Sequence, residues 1–106
     1  MIADQEIYDI VHKITTGYAP DKVILFGSYA NGNPNENSDI DLLIIKDTDK
    51  SRPERTTLVR KLLFGSMIPI DLIVYTPDEL EESKKDKYSF VHQLLNNSIT
   101  LYERIN

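Results

Sequence analysis

The stretch Leu25-Phe-Gly-Ser-Tyr-Ala-Asn-Gly-Asn-Pro-Asn-Glu-Asn-Ser-Asp-Ile-Asp-Leu-Leu-Ile-Ile45 joins two apolar runs through a polar loop, and the second run opens on two aspartates. Lys22 to Phe26, β-branched and aromatic, reads as a short buried strand that stops at Gly27-Ser28, and Ile40 to Ile45 reads as the next strand. Asn31 to Asn37 is a loop on its Asn, Gly and Pro content, with room for one helical turn between Ser28 and Asn31. Gly32 fits that loop as a position needing positive φ.

Side chains alternate along a strand, so Asp39 and Asp41 point to one face, about 7 Å apart at the backbone. Like charges held that close repel, and a divalent cation between or beside them is the usual physical reason for keeping them. The donor chemistry suits magnesium: carboxylates are hard ligands, the chain has no Cys, and its two histidines, His12 and His92, lie far away in sequence. Gly27 at a strand end lets a bulky anion approach the backbone, and Ser28 starts a turn whose free N–H groups favour phosphate.

Outward from this segment the elements alternate. Ile7, Ile10, Val11 and Ile14 keep helical spacing, and Gly17 is placed to end that helix. Ser51-x-x-Glu54 reads as a capping box opening a helix with the apolar face Leu58, Leu62 and Leu63, ended by Gly65. A third strand spans Ile68 to Tyr75. Thr76-Pro-Asp-Glu79 is a second capping box, with Pro at the first helical position. Tyr88, Val91, Leu94 and Leu95 mark a last amphipathic helix closed by Asn96-Asn97, which leaves Ile99 to Ile105 as a short strand or docked tail. The expected fold class is α/β (α+β), one domain over residues 1–106: a small mixed sheet of about three core strands with helices packed on one side. Ile40, Leu42 and Ile44 then form one aliphatic row, and Ile70, Leu72 and Val74 another, opposite the acidic residues.

At 106 residues, 41% hydrophobic and 27% charged, the composition is that of one globular domain. A net charge of −5 argues against direct nucleic-acid binding, which calls for clustered Lys and Arg. The Arg52, Arg55, Arg60 and Lys61 group reads as the solvated face of a helix, as do the Lys84-Lys-Asp-Lys87 run and both histidines. Tyr29 reads as a packed aromatic. No apolar run approaches the roughly 20 residues of a membrane span, and the start lacks the basic and apolar regions of a signal peptide, so a cytoplasmic location is expected.

Gly27-Ser28, ten intervening residues and then Asp39-Ile40-Asp41 resemble the signature of the DNA polymerase beta-like nucleotidyltransferase superfamily. Asp71, between apolar neighbours in Ile68-Pro-Ile-Asp-Leu-Ile-Val74, matches that family's third carboxylate. The short chain further resembles the minimal nucleotidyltransferases found beside HEPN-domain proteins in toxin–antitoxin pairs. The resemblance implies a polymerase beta palm-like fold, with the first two strands antiparallel and the third beside the second. It implies catalytic and metal-binding roles for Asp39, Asp41 and Asp71, triphosphate contacts at Gly27 and Ser28, two Mg²⁺ ions, and ATP as substrate. It also implies transfer of AMP to a hydroxyl of a small helical HEPN-type partner, with self-association as a further source of missing surface. Alternative readings are a non-catalytic module that neutralises a partner by binding it, or a nucleotidyltransferase acting on a small molecule.

Overall fold

The computed structural model describes residues 2–105; Met1 and Asn106, the ends of the expected single domain, lie outside the described residues. The elements run α1 (Asp4–Tyr18), β1 (Lys22–Phe26), α2 (Ser28–Asn31), β2 (Ile40–Ile45), α3 (Arg52–Leu62), β3 (Ile70–Tyr75), α4 (Pro77–Lys84), α5 (Phe90–Leu95) and β4 (Ile99–Glu103). β1 lies antiparallel to β2, β3 parallel to β2, and β4 antiparallel to β1, in the order β3-β2-β1-β4. A parallel neighbour needs a crossover, which α3 supplies. The segment expected as strand or docked tail is thus the fourth strand of the mixed sheet.

Alternation along β2 divides the core in two. Ile40, Leu42 and Ile44 join Val23, Leu25, Ile70 and Val74 under α1, through Ile7, Ile10, Val11 and Ile14, and under α3, through Val59 and Leu63. Leu43 and Ile45 join Ile24 and Phe26 on the opposite face, covered by Leu80 of α4 and Val91 of α5. The fold class is the expected one, but helices cover both faces rather than one. After Asp41 the strand reads Leu-Leu-Ile-Ile without polar alternation, so both faces must be kept from water. Each fully buried aliphatic side chain is worth about 1.5–3 kcal/mol relative to exposure.

Two helix details differ from expectation. α1 continues through Gly17 and ends at Ala19, which takes the left-handed conformation with φ 51°. Gly17 instead lets α1 approach α3, since a Cβ there would lie 2.6 Å from Leu62 Cδ2. Lys46 Nζ then donates to the end carbonyls of α1, Tyr18 at 2.9 Å and Ala19 at 3.1 Å. In α3 the inward residues are Arg55 and Val59, followed by the buried cap residue Leu63, while Leu58 is exposed. Arg55 is therefore no solvated cation. Its Nε donates to the Lys50 carbonyl at 2.7 Å, and its Nη1 donates to the Val74 carbonyl at 3.2 Å and to Glu79 Oε1 at 2.7 Å. One guanidinium thereby ties α3 and β3 to α4. Among the described residues no helix is long and apolar enough to cross a membrane.

Candidate active site

β1 ends where Gly27 adopts φ 76°, ψ −155°, a conformation open to glycine and not to residues with a Cβ. A side chain there would also overlap the Asp41 carboxylate, so the backbone of the turn runs directly against that group. Ser28 opens the single turn of α2, closed by the Ala30 and Asn31 N–H groups donating to the Gly27 carbonyl at 3.1 and 3.0 Å. Gly32 ends it with φ 77°. The following loop is fixed by its own polar side chains: Asn37 N–H donates to Asn35 Oδ1 at 2.8 Å and Asn35 N–H to Ser38 Oγ at 2.9 Å. It delivers Asp39 to the position immediately before β2.

In the sheet, Asp41 is the register partner of Phe26 on one side and of Asp71 on the other. Neighbouring strands lie about 4.8 Å apart, so the two carboxyls meet. Ile40, between Asp39 and Asp41, donates its N–H to the Pro69 carbonyl at 3.0 Å, which ties the start of β3 to the acidic strand. Burial first, then a side-chain hydrogen bond with Asp71 and the charges of Asp71 and Asp39, push the Asp41 carboxyl up from 3.8 to about 6. Asp39 and Asp41 are half-buried, and Asp71 is exposed on the edge strand.

A hydrogen bond between two carboxyls requires a proton on one of them. The donor set thus lacks positive charge, and a hard divalent cation could take the place of that proton. Among the described residues no three carboxylate or imidazole groups gather around one point as a ready cage. Asp41 and Asp71 form the close pair, and Asp39 acts on it through charge.

Other candidates lie apart from this pair. His12 stacks on Tyr8 along α1, and His92 Nδ1 lies 3.3 Å from the Lys84 carbonyl. Tyr29 is packed, its hydroxyl accepting from the Ile2 N–H at 2.9 Å. A groove of about 560 Å³ lined by Tyr8, Val11, Leu25, Tyr29, Ile99 and Leu101 runs between α1 and β4, on the sheet face away from the carboxylates. Two residues that periodicity does not single out stand near the site. Arg60 Nη2 donates to the Ile70 carbonyl at 2.9 Å, beside Asp71, and Phe90 contacts Phe26. Arg60 sits in a run that reads as solvated, and Phe90 lies off the Val91, Leu94 and Leu95 face that the sequence shows.

Residues 8–106 match the family model for polymerase beta nucleotidyltransferases. The "Putative protein adenylyltransferase MJ0604" of Methanocaldococcus jannaschii is 42% identical over 83 residues, 76% of this chain and 77% of that protein. The fold is similar to that of a Sulfolobus solfataricus crystal structure named a "putative nucleotidyltransferase", with a TM-score of 0.65 and 21% identity over 92% of this chain and 78% of that one. It is also similar to a toxin–antitoxin crystal structure with AMP-PNP, with a TM-score of 0.64 and 23% identity over 92% of this chain and 73% of that one. With a family match spanning almost every residue and the Asp-x-Asp strand set against a glycine-serine turn, the chain is a nucleotidyltransferase and belongs to the polymerase beta nucleotidyltransferase family.

Proposed function

We propose that this nucleotidyltransferase moves AMP from ATP onto a hydroxyl of a partner protein, with Asp39, Asp41 and Asp71 as its catalytic and metal-binding groups. The observation that carries this reading is the register pairing of Asp41 with Asp71, hard against the backbone of Gly27. Mg²⁺ ions held by the three carboxylates would neutralise the triphosphate and make the acceptor hydroxyl more acidic.

The chain's own residues have separable tasks. Gly27 keeps the turn clear so that the β- and γ-phosphates reach main-chain N–H groups, and the Ser28 hydroxyl donates to a phosphate oxygen. Asp71, exposed at the sheet edge, accepts the proton of the incoming hydroxyl, directly or through water. The acceptor oxygen bonds to the α-phosphorus as the bond to the bridging oxygen breaks, and pyrophosphate leaves with that electron pair.

A protein acceptor is supported by the relative named for protein adenylyltransferase and by neighbours solved as toxin–antitoxin complexes. The open surface beside Asp71 agrees with it. The turn from α3 into β3 presents Phe64 and Met67, 92% and 94% exposed, next to the acidic edge, a surface suited to another protein. The acceptor in this reading is a tyrosine of a small helical HEPN-type toxin, neutralised by the modification. Mixing the chain with Mg²⁺, ATP and whatever protein is encoded beside its gene, then weighing the products, tests this. The partner should gain whole AMP units, and Asp41→Asn should abolish the gain. A tight complex without mass change, equally protective in the Asp39→Asn variant, would favour the binding module instead.

A further inference from the structure

Leu80 of α4 packs with Ile45 and Tyr75 on the sheet face that also carries Asp41. α4 follows β3 and lies over this face, with Pro77, Leu80 and Glu81 beside Lys22 and Ile45, and residues 85–89 connect it to α5. α5 opens with Phe90, whose ring stands edge-on to Phe26 at 6.1 Å and 83°. Phe26 is the cross-strand partner of Asp41 and immediately precedes Gly27. Paired residues on one sheet face have Cβ atoms about 5 Å apart, so Phe26 links the Phe90 ring on one contact to Asp41 on the next.

The exposure of these rings is uneven. Phe26 is 9% exposed, whereas Phe90, which covers it, remains 59% exposed. One side of the Phe90 ring packs on Phe26 and the rest faces water. Tyr88 is also exposed, with Lys87 Nζ 5.2 Å from its ring centre, and Lys84 and Lys85 precede it. Lys84 and Lys85 pair with Glu81 and Glu82, which leaves Lys87 and the two rings as the feature of this connection.

We propose that the exposed ring of Phe90 is a nucleobase subsite: the base of a nucleoside triphosphate stacks on it while the phosphates cross Phe26 toward Gly27-Ser28 and the carboxylates. This rests on the reading of that site as a nucleoside triphosphate site. Every base presents a π-face, so a subsite built on stacking holds a base with little selectivity among purines. The ring is pre-positioned by Phe26, which limits the ordering cost of binding.

The chain contains no Trp, so Phe90→Trp introduces a single reporter. The probes are a non-hydrolysable ATP analogue with Mg²⁺ and inorganic tripolyphosphate with Mg²⁺, which keeps the phosphates and lacks the base. Phe90→Leu, which retains an apolar cover over Phe26, should lose about ten-fold in affinity for the analogue and none for tripolyphosphate. Phe90→Trp should keep analogue affinity, with fluorescence quenched by the analogue and not by tripolyphosphate. An unchanged affinity in Phe90→Leu, or equal quenching by both probes, overturns the subsite and leaves the phosphate site standing. Failure of the unaltered chain to bind either probe overturns both.

Discussion

Asp41 and Asp71 stand side by side on parallel strands as register partners, and the Asp41 carboxylate rests against Gly27 so closely that no Cβ would fit between them. Packing gives no reason for such a pair. It is a local cost that the two apolar layers offset, and relief comes from whatever positive charge the site receives.

Replacing Asp41 by Asn keeps the shape and removes the repulsion. AMP transfer should fall at least about 100-fold, the scale on which a single preorganised electrostatic group acts. The melting temperature at pH 8 without divalent cations should stay level or rise. Labelled-ATP transfer assays and calorimetry on the same preparation check this, and a variant that transfers AMP normally would remove Asp41 from the chemistry.

The same pair fixes the sign of a pH effect. The folded Asp41 carboxyl titrates at about 6, above its ordinary 3.8, so the folded state binds the proton more tightly. Its stabilising contribution is complete below pH 3.8 and is lost as pH rises through 6. The stability of the unaltered chain minus that of Asp41→Asn, measured without divalent cations, should therefore decline from pH 4 to pH 7. Mg²⁺ should raise the melting temperature at pH 7.5 more than at pH 5, since below 6 it competes with the bound proton. A flat difference curve would contradict the burial and carboxylate crowding assigned to Asp41.

The central segment was legible because its chemistry is local. The Gly-Ser turn, the one-turn helix from Ser28 to Asn31, the loop and the Ile40–Ile45 strand are each specified by neighbouring residues, as are the capping boxes at Ser51 and Thr76. The resemblance supplied the placement of Asp71 opposite Asp41, which no spacing in the sequence encodes. The capping box at Thr76 and the Val91, Leu94 and Leu95 spacing announce α4 and α5, but not the sheet face they cover, because which side a helix packs on is set by the crossover and not by its own periodicity. Arg55 reads as solvated in sequence because a charge on a helix usually is; its burial depends on Glu79, which is distant in sequence. Gly17 carries the same lesson, since its role is set by Leu62 on another helix.

Arg55 and Glu79 provide a stability test away from the site. Partial burial pushes the Glu79 carboxyl up, but the Arg55 hydrogen bond, the Thr76 N–H and the charges of Arg55 and Arg52 outweigh it and hold the group below its ordinary 4.5. Its contribution is present above pH 4.5 and is lost as pH falls through the lowered value. Arg55→Ala should destabilise the fold by about 3 kcal/mol, the lower end for breaking a buried pair, because Glu79 keeps some solvent and Arg52. Denaturant melts at pH 7 measure this. Glu79→Gln should flatten the loss of stability in acid, and an undiminished acid dependence would assign it to other carboxylates.

Three glycines with similar backbone angles separate conformation from function. Gly27, Gly32 and Gly65 have φ of 76°, 77° and 90°, so an Ala at any of them is strained by about 1 kcal/mol or more. A Cβ at Gly32 or Gly65 meets nothing within 4 Å, whereas at Gly27 it meets the Asp41 carboxylate. Gly32→Ala and Gly65→Ala should therefore lower stability modestly and leave MgATP affinity near that of the unaltered chain. Gly27→Ala should displace Asp41 or the turn and weaken MgATP binding well beyond its effect on stability, because the side chain lands where phosphate must approach the backbone. Titration calorimetry on the three variants distinguishes the cases. If Gly27→Ala bound MgATP as Gly32→Ala does, the turn would be a structural corner and the triphosphate would lie elsewhere on the acidic face.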